Sequence, residues 1–149
     1  MPQTVILAGG LGSRLSEETY NKPKPMVEIG KIPIISHIMN IYIKHNYNNF
    51  IVAAGYKSIE IKRYFWNHDL ENFNIEINQK LKKKIKKKGN HGDYSIKVID
   101  TGKQNQTGSR LYQLRNHIKD DIFFMTYGDG LCDVNLNSLL SFHKKNKNI

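Results

Sequence analysis

The chain has 149 residues, a length typical of one domain with a core of its own. Its hydrophobic share of 39% lies well above that of disordered chains, and its single cysteine, Cys132, excludes an intramolecular disulfide. The formal net charge of +10 raises nucleic acid as a partner, but seven of the lysines fall in one tract over residues 80–88, without which the charge would be +3. Such a tract is more typical of a solvated loop, so the composition favours that interpretation over a nucleic-acid contact.

The N-terminal residues carry no recognisable targeting or membrane signal. No basic segment precedes a long apolar stretch, and the apolar run that begins at Thr4 is far too short to span a bilayer. Together with the absence of cysteine pairs, this pattern predicts a cytoplasmic protein that has no membrane partner.

The first predicted strand, over residues 4–7, leads into a loop that contains three glycines, Gly9, Gly10 and Gly12. Glycines allow backbone N–H groups to turn inward around phosphate oxygens, because no Cβ atom is in the way. Arg14 follows this loop, and Lys24 returns between two prolines that favour an extended backbone. A bare backbone with two cations that can converge predicts a site for a nucleoside triphosphate.

Other interpretations of the glycine loop fit less well. A dinucleotide-binding fingerprint requires a third glycine where the helix packs on the strand, and Arg14 and Leu15 occupy that place. A Walker loop requires Gly-Lys-Ser or Gly-Lys-Thr, which does not follow these glycines. A plain strand-to-helix turn with ordinary surface charges would leave the glycines, Arg14 and Lys24 as coincidences.

The rest of the chain alternates between predicted strands and helices. Apolar spacing predicts a helix over residues 33–44 and another over 59–66 that is capped by Ser58. Two further helices are expected to begin at about Ser109 and near Leu136. Short apolar runs predict strands over residues 26–29, 50–54, 73–77, 94–100 and 122–127. This alternation predicts an α/β layered domain with a mostly parallel sheet.

In a parallel sheet, ligands bind beyond the carboxyl ends of the strands. This rule brings together the loops at residues 9–14, 55–57, 101–110 and 128–133. Asp129 lies between two glycines at the end of the most apolar predicted strand, and Mg²⁺ prefers carboxylates together with phosphate oxygens. Asp129 is therefore a candidate metal ligand, with a turn residue in Gly-Asp-Gly as the alternative. A triphosphate loop, two cations and this aspartate predict transfer of a nucleotidyl group.

Several motifs resemble those of the sugar-phosphate nucleotidyltransferases. The family is marked by LAGGLGSRL at residues 7–15 and KPKPMV at 22–27. Further motifs resemble those of one branch, the glucose-1-phosphate cytidylyltransferases: GYK at 55–57, VIDTG at 98–102, TGSRL at 107–111 and TYGDG at 126–130. The resemblance covers nearly the whole chain apart from the lysine tract.

The resemblance implies a Rossmann-like three-layer nucleotidyltransferase fold and an Mg²⁺-dependent reaction. Glucose 1-phosphate would attack the α-phosphate of CTP, giving CDP-glucose and pyrophosphate on a route to sugars of surface polysaccharide. The alternatives are a sibling enzyme that uses UTP or dTTP, and a non-catalytic fragment that binds a nucleotide or a nucleic acid.

The resemblance also implies roles for individual residues. Backbone groups would line the base and ribose at Leu7, Ala8, Gly9 and Gly10. The β- and γ-phosphates would be held by Gly12, Ser13 and Arg14. Lys24, catalytic together with Arg14, would reach the α-phosphate and the sugar phosphate, and Asp129 would bind Mg²⁺. The nucleotide-binding set is completed by Gly128 and by the residues expected at the base to help select cytosine, which are Thr107, Gly108 and Arg110.

Members of this family are longer than the present chain. The resemblance implies that residues 1–149 form the nucleotide-binding part of an incomplete domain, with an unprotected sheet edge. The sugar pocket and a second metal-binding aspartate would then lie beyond Ile149. Whether the chain acts alone, and whether the full-length protein is a homo-oligomer, are left open by the sequence.

Overall fold

The computed structural model describes residues 1–10, 22–70 and 94–146. Six strands lie in these ranges: β1 (Thr4–Ala8), β2 (Glu28–Ile29), β3 (Ile32–Pro33), β4 (Asn49–Ala54), β5 (Ser95–Asp100) and β6 (Phe124–Tyr127). The same ranges contain four α-helices: α1 (Ile34–Lys44), α2 (Ser58–Leu70), α3 (Thr107–Gln113) and α4 (Leu136–Lys145). The predicted strand at 73–77 and the lysine tract lie outside the described residues.

Four of the strands form one parallel sheet in the order β5-β4-β1-β6. From β1 the chain steps outward to β4 and β5, and then crosses to the opposite side of β1 to form β6. The direction of winding therefore reverses between β1 and β6, and ligands of such sheets bind at this reversal, beyond the carboxyl ends of the strands. The remaining two strands, β2 and β3, form a separate antiparallel hairpin.

Helices cover both faces of the sheet. Each strand contributes side chains to both faces, because successive side chains of a strand point in opposite directions. On one face, Ile6 of β1 and Val52 of β4 share a core cluster with residues of α1, α2 and α4. On the other face, Val5 and Ile51 pack with Leu114, which directly follows α3. This arrangement confirms the predicted α/β class with a mostly parallel sheet.

Helix α1 follows the predicted apolar spacing closely. It begins directly after Pro33 and buries four side chains against the sheet, Ile35, Ile38, Met39 and Tyr42. Lys44 lies in its last turn, where a cation interacts favourably with the helix dipole. The helix ends before Asn46, whose φ of 66° breaks the helical path.

The start of two other helices differs from the prediction. Helix α2 begins at Ser58 itself, and the Ser58 hydroxyl donates a hydrogen bond of 2.6 Å to Asp100 instead of capping the helix. The reason is that α2 starts soon after β4 ends, beside the carboxyl end of the neighbouring strand β5. Helix α3 begins at Thr107 rather than at Ser109.

Strand β6 is shorter and more exposed than predicted. It begins at Phe124, and Met125 and Tyr127 are 49% and 60% exposed. In the described sheet β6 pairs only with β1, so it is an edge strand, and β1 and β4 are the buried strands instead. Over the described ranges, no helix is both long and apolar enough to cross a bilayer.

Candidate functional site

A cavity of about 490 Å³ lies at the carboxyl ends of β1 and β6, where the winding reverses. Nine residues singled out from the sequence line it: Leu7, Ala8, Gly9, Gly10, Lys24, Thr107, Arg110, Gly128 and Asp129. Four residues that were not singled out also line it: Pro25, Asn105, Gln106 and Tyr127. Gly108 lies in the first turn of α3 but does not line the cavity. Gly12, Ser13 and Arg14 lie outside the described residues.

Lys24 reaches the cavity from a single 3₁₀ turn, Lys24–Met26, rather than from the extended segment that its flanking prolines predicted. In this turn the N–H of Met26 donates to the Pro23 carbonyl over 2.8 Å. The turn packs closely on the end of β6, because a Cβ added to Gly128 would lie only 2.9 Å from Cγ of Pro25. The absence of a side chain at Gly128 therefore allows the Lys24 segment to approach the strand end.

Lys24 and Asp129 form an ion pair inside the cavity. The Nζ atom of Lys24 lies 2.5 Å from Oδ2 of Asp129, and both side chains are about one-third exposed. The pair joins a cation that can bind a phosphate oxygen to a carboxylate that can bind a metal ion. Among the described residues that line the cavity, Asp129 is the one with a carboxylate.

The backbone at the end of β1 is held by its neighbours on both sides. The N–H of Gly128 donates to the Leu7 carbonyl over 2.9 Å, and the N–H of Tyr56 donates to the Gly9 carbonyl over 3.2 Å. The glycine loop is thus joined to the chain segments that follow β4 and β6. This bonding holds Leu7 and Gly9, which line the cavity, against the neighbouring segments.

Arg110 is buried below the glycine loop, with 4% of its surface exposed. Its Nη2 donates to the Gly9 carbonyl over 2.8 Å, and its Nη1 donates to the Gly102 carbonyl over 2.7 Å. Burial lowers the pKa of the Arg110 guanidinium, and the charge of Asp100 opposes this effect. Arg110 therefore brings a buried positive charge to the cavity wall.

Thr101, which sequence reasoning did not single out, contacts Arg110 from behind the residues that line the cavity. It is fully buried, and its hydroxyl donates to the Ala54 carbonyl over 2.7 Å while accepting from Arg110 over 2.8 Å. Its position directly after a predicted strand was the available signal, because strand ends were expected to gather at one edge.

Asp100, at the end of β5, accepts two hydrogen bonds near the site. The donors are the Ser58 hydroxyl at 2.6 Å and the N–H of Gly102 at 2.9 Å. These bonds favour the carboxylate form and lower the pKa of Asp100 below its ordinary value of 3.8.

We expect Asp100 to stabilise the fold at neutral pH and to lose this contribution on acidification. Because its pKa is lower in the folded than in the unfolded chain, the contribution is present above the unfolded pKa and disappears as the pH falls through the folded value. Thermal melts of wild type and Asp100→Asn should differ by a few degrees at neutral pH and converge in acid. Asp121→Asn, at an exposed aspartate, is the control. A difference that persists unchanged into acid would contradict this role.

Comparisons with known proteins agree with this arrangement. A family model described as nucleotidyl transferase matches residues 3–149. Over 143 residues the chain is 43% identical to the glucose-1-phosphate cytidylyltransferase of Salmonella typhimurium, which covers 95% of this chain and 56% of that protein. It is 37% identical over 142 residues to the probable glucose-1-phosphate cytidylyltransferase of Bacillus subtilis, again with 95% and 56% coverage.

A solved structure supports the fold. HddC from Yersinia pseudotuberculosis, complexed with GMP-PN, superimposes with a TM-score of 0.69 at 22% identity, over 96% of this chain and 54% of that one. The chain spans about 56% of the length of the curated relatives named above. The match of the family model along nearly all of its residues confirms the resemblance found in the motifs, and the chain belongs to the nucleotidyl transferase family.

Proposed function

We propose that this chain is the nucleotide-binding part of a glucose-1-phosphate cytidylyltransferase, which transfers a cytidylyl group from CTP to glucose 1-phosphate. The observation that carries the proposal is that Gly9, Gly10, Lys24 and Asp129 line one cavity where the sheet reverses its winding. The 43% identity to the Salmonella enzyme supports CTP as the nucleotide.

In the proposed reaction, a phosphate oxygen of glucose 1-phosphate forms a bond to the α-phosphorus of CTP. The bond between the α-phosphorus and the bridging oxygen breaks, and pyrophosphate leaves with that electron pair. Lys24 would donate hydrogen bonds to the α-phosphate and to the sugar phosphate, which orients both and stabilises the charge that develops. No general base is required, because the sugar phosphate is already an anion.

The remaining residues of the proposed site hold the nucleotide. Leu7, Ala8, Gly9 and Gly10 would present backbone groups to the base and ribose, and Thr107, Gly108 and Gly128 would complete this part of the site. The β- and γ-phosphates would be held by Gly12, Ser13 and Arg14. A buried positive charge at Arg110 favours an anionic ligand in the cavity.

Nucleotidyltransferases of this family generally use a divalent metal ion. The Asp129 carboxylate fits Mg²⁺, because this ion is typically bound by one or two carboxylates together with phosphate oxygens of the substrate. When bound, the ion would neutralise charge on the phosphates. We include in the proposal a cytoplasmic reaction that supplies nucleotide sugar for polysaccharide synthesis, because phosphorylated substrates do not cross a bilayer unaided.

Nucleotide binding tests this function directly. Calorimetric titrations with CTP, UTP, dTTP and GTP in the presence of Mg²⁺ should give the tightest binding for CTP, by about tenfold or more. Pyrophosphate release on addition of glucose 1-phosphate should then be measured on the protein at its full coded length. Equal binding of all four nucleotides would contradict the choice of CTP, and binding of none would contradict the function itself.

A single-stranded oligonucleotide serves as a further probe in the same titrations. Binding that falls steeply with added salt would favour a nucleic-acid-binding fragment led by the lysine tract. Binding of CTP with Mg²⁺, without such a response to the oligonucleotide, would exclude that alternative.

A further inference from the structure

Three strand-end loops meet at the guanidinium of Arg110. Its Nη2 atom donates to the Gly9 carbonyl after β1, and its Nη1 atom donates to Gly102 and to the hydroxyl of Thr101 after β5. The Ala54 carbonyl, the last of β4, lies 3.4 Å from Nη1. One side chain on α3 thus bonds to the carboxyl ends of three neighbouring strands.

The direct hydrogen-bond acceptors of this buried charge are backbone carbonyls and the Thr101 hydroxyl, and Asp100 acts on it only from a longer distance. In the part of the chain that the structure describes, no carboxylate oxygen lies within 4.0 Å of a guanidinium nitrogen of Arg110, so Arg110 forms no ion pair there. Burying an arginine without a paired carboxylate is costly unless its donors are satisfied. The planar fork of a guanidinium can satisfy several carbonyls at fixed angles, whereas the point charge of a lysine cannot.

Two glycines are shaped to this side chain. A Cβ added to Gly9 or to Gly55 would overlap the Arg110 guanidinium. At Gly55 the same Cβ would also lie 2.7 Å from the Gly102 carbonyl and 2.8 Å from the Gly9 carbonyl. The loops after β1, β4 and β5 therefore touch one another directly, with Arg110 filling the space that side chains would need.

Both terminal nitrogens of Arg110 are engaged with the protein. Nη2 also donates to the Lys103 carbonyl over 3.3 Å, so its bonds are divided between two loops. To bind a cytosine base through Nη2, Arg110 would have to release the Gly9 carbonyl, which is buried with it, and an unpaired buried carbonyl is costly. This bonding favours a role different from the cytosine selection expected from the sequence.

We infer that Arg110 is a positioning residue that acts on the nucleotide through the Gly9 carbonyl. It holds the glycine loop against the β4 and β5 loops, so that the backbone groups of Gly9 and Gly10 keep the arrangement that a nucleotide needs. This inference rests on the proposed function in one respect, namely that a nucleotide occupies the cavity. It implies that Arg110 contributes to affinity but not to the choice between CTP and UTP.

The test compares Arg110→Met with wild type in titrations with CTP and with UTP. Loss of the charge-assisted hydrogen bonds from Arg110 to the three loops should weaken the affinities for CTP and UTP by about tenfold each, and it should leave their ratio unchanged. Arg110→Lys should not restore binding, because an ammonium cannot bridge the same carbonyls. Arg115→Met, at an exposed arginine that stacks on Tyr112, is the matched control and should bind as wild type does.

Gly9→Ala provides an independent perturbation of the same contact. It should weaken both nucleotides to a similar extent, and the double variant Gly9→Ala/Arg110→Met should lose no more than either single variant. Selective loss of CTP in Arg110→Met would overturn the inference in favour of base recognition. Unchanged binding of both nucleotides would overturn it as well.

Amide hydrogen exchange separates this inference from the proposed function, because it needs no nucleotide. In Arg110→Met the N–H of Tyr56, which donates to the Gly9 carbonyl, should exchange faster, while that of Val52 in the centre of β4 should not change. Equal protection of the Tyr56 amide in wild type and Arg110→Met would overturn the positioning role of Arg110, even if nucleotides bind. Faster exchange in Arg110→Met, together with no nucleotide binding by wild type, would support that role and contradict the proposed function. If Arg110→Met does not fold, Arg110→Lys takes its place in both measurements.

Discussion

Replacing Lys24 with alanine is expected to lower the turnover of CTP by about 10²- to 10³-fold, or roughly 3–4 kcal/mol of barrier. The proposed function gives Lys24 the phosphates between which the bond forms and breaks, where negative charge develops during the transfer. A donor that is used mainly in the transition state affects kcat more than KM. Steady-state kinetics with CTP and glucose 1-phosphate on the protein at its full coded length provide the measurement.

Lys22→Ala is the matched control for this prediction. Lys22 lies in the same segment, but it forms an exposed ion pair of 2.7 Å with Glu28 on the surface. Exposed pairs contribute about 0–1 kcal/mol to stability, so turnover should stay within about twofold of wild type. Equal losses in the two variants would point to disruption of the segment and contradict a specific role for Lys24.

Replacing Phe50 with alanine is expected to lower the free energy of unfolding by about 3–5 kcal/mol. Phe50 is 1% exposed at the start of the buried part of β4. Its ring packs edge-on against Tyr42 and Tyr94, with centroid distances of 6.5 Å and 6.3 Å, so truncation would remove both contacts and leave a cavity. Urea unfolding followed by circular dichroism measures the loss.

Phe142→Ala is the control for the core variant. Phe142 lies on α4 and is 59% exposed, so its removal should change the free energy of unfolding by about 0.5 kcal/mol or less. A loss of several kcal/mol at Phe142, or a small one at Phe50, would contradict the assignment of the core to the strands and the inner helix faces.

The buried strands and helix α1 could be predicted because their patterns are local. Continuous apolar runs identified β1 and β4, which have neighbours on both sides and helices on both faces. Helical spacing after Pro33 identified the buried side of α1. Both signals depend only on residues close together in sequence, so no knowledge of the topology was needed.

The exposure of β6 and the burial of Arg110 could not be predicted in the same way. An apolar run shows that a strand is suited to burial, but the pairing partners decide whether it lies at an edge, as Met125 and Tyr127 do. Arg110 is buried because loops distant in sequence supply its carbonyl partners. The glycines Gly9 and Gly55 at successive strand ends were the one available sign that something packs closely there.

The cavity could be predicted from the sequence only in part. The rule that ligands bind at the carboxyl ends of parallel strands places Gly9, Thr107 and Asp129 at one edge from the sequence alone. Their detailed contacts, such as the ion pair between Lys24 and Asp129, depend on the 3₁₀ turn and on the close approach at Gly128. Those depend on packing that a linear pattern does not specify.

The strand order also determines when the sheet can close during synthesis. Thr4 of β1 aligns with Phe50 of β4 and with Phe124 of β6, so the central strand is made first and its second neighbour much later. Pairing of such distant segments requires long loops to close before any bond is gained, which slows folding compared with helical proteins. On the ribosome, one edge of β1 must therefore stay open until the stretch around Phe124 emerges.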